Sequence, residues 1–223
     1  FTIDGRAARP LRPGGLAPGL LAVYTVLLAR YTGRWDQVVG MFVEGRTRAE
    51  TAGVVGNFTN LVAVRTDLTD RPGFAVAATR VRTAIAGALA HQDAPFEAVV
   101  AAAAPPRVVG RPPLVQVAFN FHNHAYGHAG WHGLGAEVWP VSADHDDLDL
   151  TLVAVPLHDG TVRAAFEYPA DRFAREPVAA LGTHLTTLGA GLLARPDRPV
   201  SAVPMLPADE TATLLAWGRG PGA

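Results

Sequence analysis

The stretch Gly19–Gly33, GLLAVYTVLLARYTG, leaves the chain the fewest alternatives. Its apolar residues Leu20, Leu21, Val23, Tyr24, Val26, Leu27, Leu28 and Tyr31 surround nearly the whole circumference of a helix, and such a helix must be covered on more than one side. It runs only about a dozen residues before Arg30, short of the roughly 20 that a bilayer requires, and no basic flank precedes it as in a signal peptide. A buried helix ended by Gly33 follows, so the fold must supply neighbouring layers.

The segments after it alternate in character. QVVGMFV and NLVAVRTDL read as strands whose mixed apolar pattern suits a sheet with helices on one face. Asp70 and Pro72 then open a helix that runs through Leu89, with Phe74, Ala78, Val81, Ile85 and Leu89 along one side. A second helix is expected from Pro95 to about Ala103. PLVQVAFNFH predicts a strand with Val115, Val117, Phe119 and Phe121 on one face and Gln116, Ala118, Asn120 and His122 on the other. LDLTLVAV and TVRAAFEY flank a turn at His158, Asp159 and Gly160, a hairpin pattern. Phe173–Leu193 reads as a helix, and RPDRPVSAVPMLPADE as a Pro-rich linker to a last short helix near Leu214.

Composition excludes several functions. The 223 residues can bury a full core, as one large domain or two small ones. A net charge of −1, with all nineteen basic residues Arg and scattered singly, leaves no footprint for nucleic acid or anionic lipid. The absence of Cys removes disulfides, thiolate zinc sites and a Cys nucleophile, and fits a reducing, cytoplasmic setting.

Two clusters invite a catalytic or metal reading. In HQDAPFEAVV, residues 91–100, Asp93 sits where an N-cap belongs, Pro95 falls in the first turn, and Glu97 meets the positive end of the helix dipole. These roles account for both carboxylates without acid–base chemistry, which would need them to converge in a pocket. FHNHAYGHAGWH holds His122, His124, His128 and His132, but it lacks carboxylate pairing, its spacing fits no standard metal motif, and Gly127, Gly130 and Gly133 mark a loop. SADHDDLDL lacks the Gly-bearing spacing of a calcium loop, and neither a phosphate loop nor a G-x-S-x-G elbow occurs.

The order of motifs reaches further. VVGNFTNLVAVRTDL, HQDAPFEAVV, GRPPLVQVAFNFHN, LDLTLVAV and FEYPADRFARE, preceded by VVGMFVEGRT with Gly45 and Arg46, closely resemble the second half of condensation domains of nonribosomal peptide synthetases. LPADETATLLAWGRG is similar to the linker that leads from such domains into an adenylation domain. The family's catalytic signature, two histidines followed after three residues by Asp-Gly, belongs to the first half of the domain, and the sequence contains no His-His pair. Asn57, Thr59 and Asn60 in GNFTN depart from the family's commoner Phe-Val-Asn-Thr order. Arg107 and Arg111 likewise stand where the family usually has an Asp-x-Ser-Arg run.

The resemblance implies an α/β fold, a chloramphenicol acetyltransferase-like lobe with a mixed β-sheet and flanking helices. Residues 1–200 would be the C-terminal lobe of the condensation domain, and 201–223 a linker toward a following domain, expected to be adenylation. The lobe would form one wall of a tunnel in which two carrier-protein-bound thioesters react to make an amide. On that reading Asn57, Asn60, Gln116, Asn120 and His122 are the expected tunnel-lining polar groups, with no catalytic residue and no metal ligand in the chain. No cofactor is expected to bind directly; phosphopantetheine arrives on the peptidyl carrier partners. The expected partners are the N-terminal lobe, the carrier domains and the adenylation domain, and neither nucleic acid nor membrane. The alternative is a condensation-like domain without catalysis that docks a tailoring enzyme, and a third class is a free-standing acyltransferase of the same fold.

Overall fold

The computed structural model describes residues 1–8, 11, 15–122 and 148–219. Four elements begin the chain: strand β1 (Thr2–Ile3), helix α1 (Gly5–Ala8), helix α2 (Leu16–Thr32) and strand β2 (Asp36–Val43). Strand β3 (Asn60–Asp67), helices α3 (Phe74–Leu89) and α4 (Phe96–Ala103), and strand β4 (Val117–Phe121) follow. Strands β5 (Leu150–Pro156) and β6 (Val162–Glu167) and helices α5 (Arg175–Ala194) and α6 (Ala208–Arg219) complete the order.

The described strands form a six-stranded sheet in the order β1-β6-β5-β4-β2-β3. β2, β4 and β5 run parallel at its centre, while β3, β6 and β1 join antiparallel. This is the α/β fold with a mixed sheet and flanking helices that the resemblance implied. Parallel neighbours need long crossovers, and α3 and α4 lie within the one from β2 through β3 to β4.

Helices α2, α3 and α5 cover one face of the sheet. Val39, Met41, Val62, Val64, Phe119, Leu152, Ala154 and Ala164 point into this core, and α2 lies at its centre. Every residue of α2 from Gly19 to Ala29 is buried, as its all-round apolar surface requires. Gly33 closes the helix at φ 71°, in the left-handed region that glycine adopts without strain, and its N–H donates to the Ala29 carbonyl at 2.9 Å. Burial holds the Tyr24 phenol well above its ordinary pKa, and its hydroxyl has no hydrogen-bond partner among the described residues.

Helix α5 has the length and the mean hydropathy, 1.2, of a membrane span, but Val178, Leu185, Leu188 and Leu192 are buried in this core. The hairpin between β5 and β6 has the expected turn. Asp159 accepts from the Thr161 N–H at 2.9 Å and from its hydroxyl at 2.6 Å, while Gly160 takes φ 86°.

Several expectations need correction. Helix α3 starts at Phe74, because Pro72 and Gly73 are extended: the Pro72 carbonyl accepts from Val200 N–H, and Gly73 bridges Pro199. Asp70 instead takes both guanidinium nitrogens of Arg80, at 2.6 and 2.7 Å. The buried side of α3 runs through Ala77 rather than Ala78, and Leu89 is exposed. The alternation expected along PLVQVAFNFH fails at its start. Leu114 has φ 65° and the Val115 N–H donates to the Pro113 carbonyl, a tight turn that sends Val115 to the face opposite Phe119. After β6, helix α5 begins at Arg175, two residues beyond the expected Phe173.

Residues 195–207 are not a free tether. Val200 and Val203 are buried in the main core, and Arg30 donates to the Val203 carbonyl at 2.6 Å.

Candidate functional site

The second face of the sheet, opposite α2, α3 and α5, carries a different surface. Val115, Ala118 and Leu148 are buried there, with Val38, Phe42, Leu61, Ala63, Phe96 and Leu114 against them. Gly40 belongs to this face because nothing larger fits: a Cβ there would stand 2.7 Å from Val115 Cγ1 and 3.0 Å from Leu61 Cδ1. Across the register, Ala118 lies beside the buried Thr151 and Asn120 beside the half-buried Val153.

The carboxyl ends of the parallel strands β2, β4 and β5 share one edge of the sheet, where open α/β sheets commonly bind ligands. Asn120 and His122 lie at the end of β4, both half-buried, Asn120 on the face opposite Phe119. The His122 N–H donates to the Ala154 carbonyl at 3.0 Å, which extends the pairing with β5 by one more residue. Partial burial pushes the His122 imidazole below its ordinary pKa, so at neutral pH it is an uncharged donor and acceptor. The arrangement can bind and orient an amide or carbonyl.

Asn60 begins β3 at the same edge, opposite Val43. Its amide Nδ2 donates to the Gln92 and Ala94 carbonyls, each at 2.8 Å, and its Oδ1 accepts from the Phe96 N–H at 3.2 Å. Asn60 therefore supplies, from a distant strand, the cap that the sequence suggested for Asp93. The N-cap position of α4 is Pro95, which has no side-chain cap of its own. Asp93 instead accepts a hydrogen bond from the Thr47 hydroxyl at 2.8 Å, tying the turn to the loop after β2. The segment HQDAPFE is thus a joint held from two sides, by Asn60 and by Thr47.

That loop, residues 44–59, is built around Arg46. Its guanidinium donates to the Thr51 and Val54 carbonyls and to Gly56 O at 3.2 Å, and it lies 4.3 Å above the Phe58 ring centroid. Gly45 precedes it at φ 64°, and any Cβ there would collide with the Phe58 carbonyl oxygen. The Gly45-Arg46 pair is therefore a structural unit: the glycine admits the Phe58 backbone, and the arginine satisfies the carbonyls of the turn. Asn57 is exposed in this loop and accepts from the Thr59 N–H at 3.0 Å, an Asx turn. At the loop's outer side Val54 and Val55 are exposed, as are Val108 and Val109 in the segment after α4.

Gln116 stands apart from this group. It precedes the amino end of β4, where its side-chain amide donates to the Pro112 carbonyl at 2.8 Å and its own carbonyl accepts from Asp149 N–H. The five predicted residues thus divide: Asn57, Asn60, Asn120 and His122 gather toward the carboxyl edge, and Gln116 lies at the other end of β4. His124, His128 and His132 fall outside the described residues. Among the described residues no group of three His, Cys, Asp or Glu side chains could hold a metal.

Two features escaped the sequence. The Arg46 cage was signalled only by the adjacent Gly-Arg pair, because the carbonyls it gathers are backbone groups that no pattern reveals. The buried His184, with Tyr31 and Glu210 on its two ring nitrogens, joins residues separated by 153 and 26 positions. No local signal marks it.

Comparison with known proteins adds to this geometry. The family model "Condensation domain" matches residues 18–215. Phosphinothricin tripeptide synthetase PhsB of Streptomyces viridochromogenes is 39% identical over 202 residues, covering 89% of this chain and 17% of that protein. Among solved structures, the four-domain nonribosomal peptide synthetase holo-AB3403, bound to AMP and glycine, superposes with a TM-score of 0.83 at 20% identity. That match covers 95% of this chain and 18% of the other. The X-domain in its complex with OxyB from teicoplanin biosynthesis gives a TM-score of 0.79 at 24% identity, covering 94% of this chain and 48% of that one. The chain spans only 2% to 17% of the length of the curated relatives it matches.

Proposed function

We propose, from the premise that this chain belongs to the condensation domain family of nonribosomal peptide synthetases, that it is the C-terminal half of such a domain. It forms one wall of the tunnel in which an amide bond is made. The observation that carries this reading is the sheet face opposite α2, α3 and α5, with Asn120 and His122 at the carboxyl edge of the parallel strands. Among the described residues that face presents hydrogen-bonding groups and no paired acid and base, which suits a wall that orients substrate. The proton transfer belongs to a histidine pair that this sequence does not contain. The coverage of about half of the X-domain chain supports the half-domain assignment.

In the proposed reaction two carrier domains present substrates on phosphopantetheine arms. The amine of one attacks the thioester carbonyl of the other; the C–N bond forms, the C–S bond breaks, and the thiol leaves with a proton. The lobe's part is to hold the arms and the acyl carbonyl in line, and to exclude water. It acts in the cytoplasm, beside an adenylation domain that residues 201–223 lead toward. A second reading is favoured by the likeness to an X-domain solved with OxyB: the same wall would dock a tailoring enzyme and make no bond.

The test combines the chain with the N-terminal half of its parent domain and two loaded carrier proteins, and follows amide product by mass spectrometry. Product from the pair, and none from the chain alone, supports the half-enzyme. Firm pairing of the halves without product, together with capture of an oxidative tailoring enzyme, supports recruitment. Turnover by the chain alone defeats both.

A further inference from the structure

Away from the sheet edge, α2, α5 and α6 meet at a polar chain of three side chains. His184 of α5 is only 4% exposed, and its Nδ1 faces the Tyr31 hydroxyl at the end of α2. Its Nε2 lies 2.7 Å from Oε2 of Glu210, in the first turn of α6. A carboxylate can only accept, so Nε2 carries the hydrogen, and in the neutral ring Nδ1 then accepts from the Tyr31 O–H. The order hydroxyl, imidazole, carboxylate is that of a nucleophile relay. Tyr31 does not serve as one, because burial and the Glu210 charge both push its pKa up and keep the phenol protonated.

What the chain does follows from α6. Every residue from Ala208 to Arg219 is exposed except Glu210, and the helix buries no apolar side chain. Its other side-chain hydrogen bonds are local, from Thr211 to the Pro207 carbonyl and from Thr213 to Asp209 O, each at 2.9 Å. A helix of 12 residues is marginal in water without tertiary packing. Its attachment to the lobe therefore rests on the contact between Glu210 and His184, just after the firmly buried Val203. We propose that this contact is a clasp: closed, it fixes α6 on α2 and α5; open, it releases α6 as a unit.

Amide hydrogen exchange on the full chain tests it. Glu210→Ala should speed exchange across residues 208–219 by about tenfold or more while α3, α5 and the sheet keep their protection. Because Ala favours helix more than Glu does, faster exchange cannot come from propensity. Asp209→Ala removes the same charge from the same turn but touches no lobe residue, so it controls for the helix dipole and should change exchange less than about twofold. Tyr31→Phe, which removes the hydroxyl that orients the imidazole, should give a smaller increase than Glu210→Ala. Exchange in α6 that is no faster in Glu210→Ala than in Asp209→Ala would overturn the clasp.

Discussion

Asn60 illustrates how much one polar side chain can organise. Its amide makes three hydrogen bonds to the backbone of the 92–96 turn, two as donor and one as acceptor. Asn60→Ala leaves those groups without their partner and should lower stability by about 2 kcal/mol in urea denaturation. Asn60→Asp keeps the acceptor for Phe96 but faces two carbonyls with a charge, so it should be no better. Asp93→Ala loses only an exposed bond from Thr47, and its cost should stay below about 0.5 kcal/mol. The reverse ranking would restore Asp93 as the cap. His122 gives a pH signature. Its pKa is depressed in the fold by burial, so the unfolded chain takes up the proton first, near its ordinary value of about 6.5. The stability this group contributes is complete above that value and is lost as pH falls below it. Denaturation midpoints measured from neutral pH down to about pH 5 should therefore fall more steeply in the wild type than in His122→Asn.

At the scale of elements, the loop after β2 and the turn before β4 are both fixed by backbone geometry. Gly45→Ala forces a side chain into the left-handed region and onto the Phe58 carbonyl, and should cost about 1–3 kcal/mol. Arg46→Met keeps the stem but removes the donors, so the protein should remain folded while hydrogen exchange rises across residues 47–58. Unchanged exchange there would mean that Phe58 and the Asx turn at Asn57 suffice. The expected strand PLVQVAFNFH shortened for a related reason: a positive φ at Leu114 turned Val115 under Gly40, where it fills the space a side chain would need. Helix α2, by contrast, formed as its sequence required, because an all-round apolar helix has no acceptable exposed orientation.

For the whole molecule, the described residues place a large core on one sheet face and a smaller buried cluster on the other. Val54, Val55, Val108 and Val109 stand exposed on its surface. The isolated chain should therefore self-associate as its concentration rises, and sedimentation should show the effect reduced in the double variant Val55→Ser, Val109→Ser. Association indifferent to those changes would place the sticky surface elsewhere.

The sequence by itself determined most of the elements from α2 onward, the buried helix, the β5–β6 turn and, through the order of its motifs, the family. Those features are written in local periodicity, in turn chemistry and in runs of residues that neighbour one another along the chain. Only the tertiary structure decided that Asn60 rather than Asp93 caps α4, that Arg46 gathers three carbonyls, and that Gln116 lies at the far end of β4 from Asn120. It alone brought Tyr31, His184 and Glu210 into one chain. The physical reason is common to all of these. A polar side chain is satisfied by whatever donor or acceptor the fold carries to it, and sequence distance does not encode that approach.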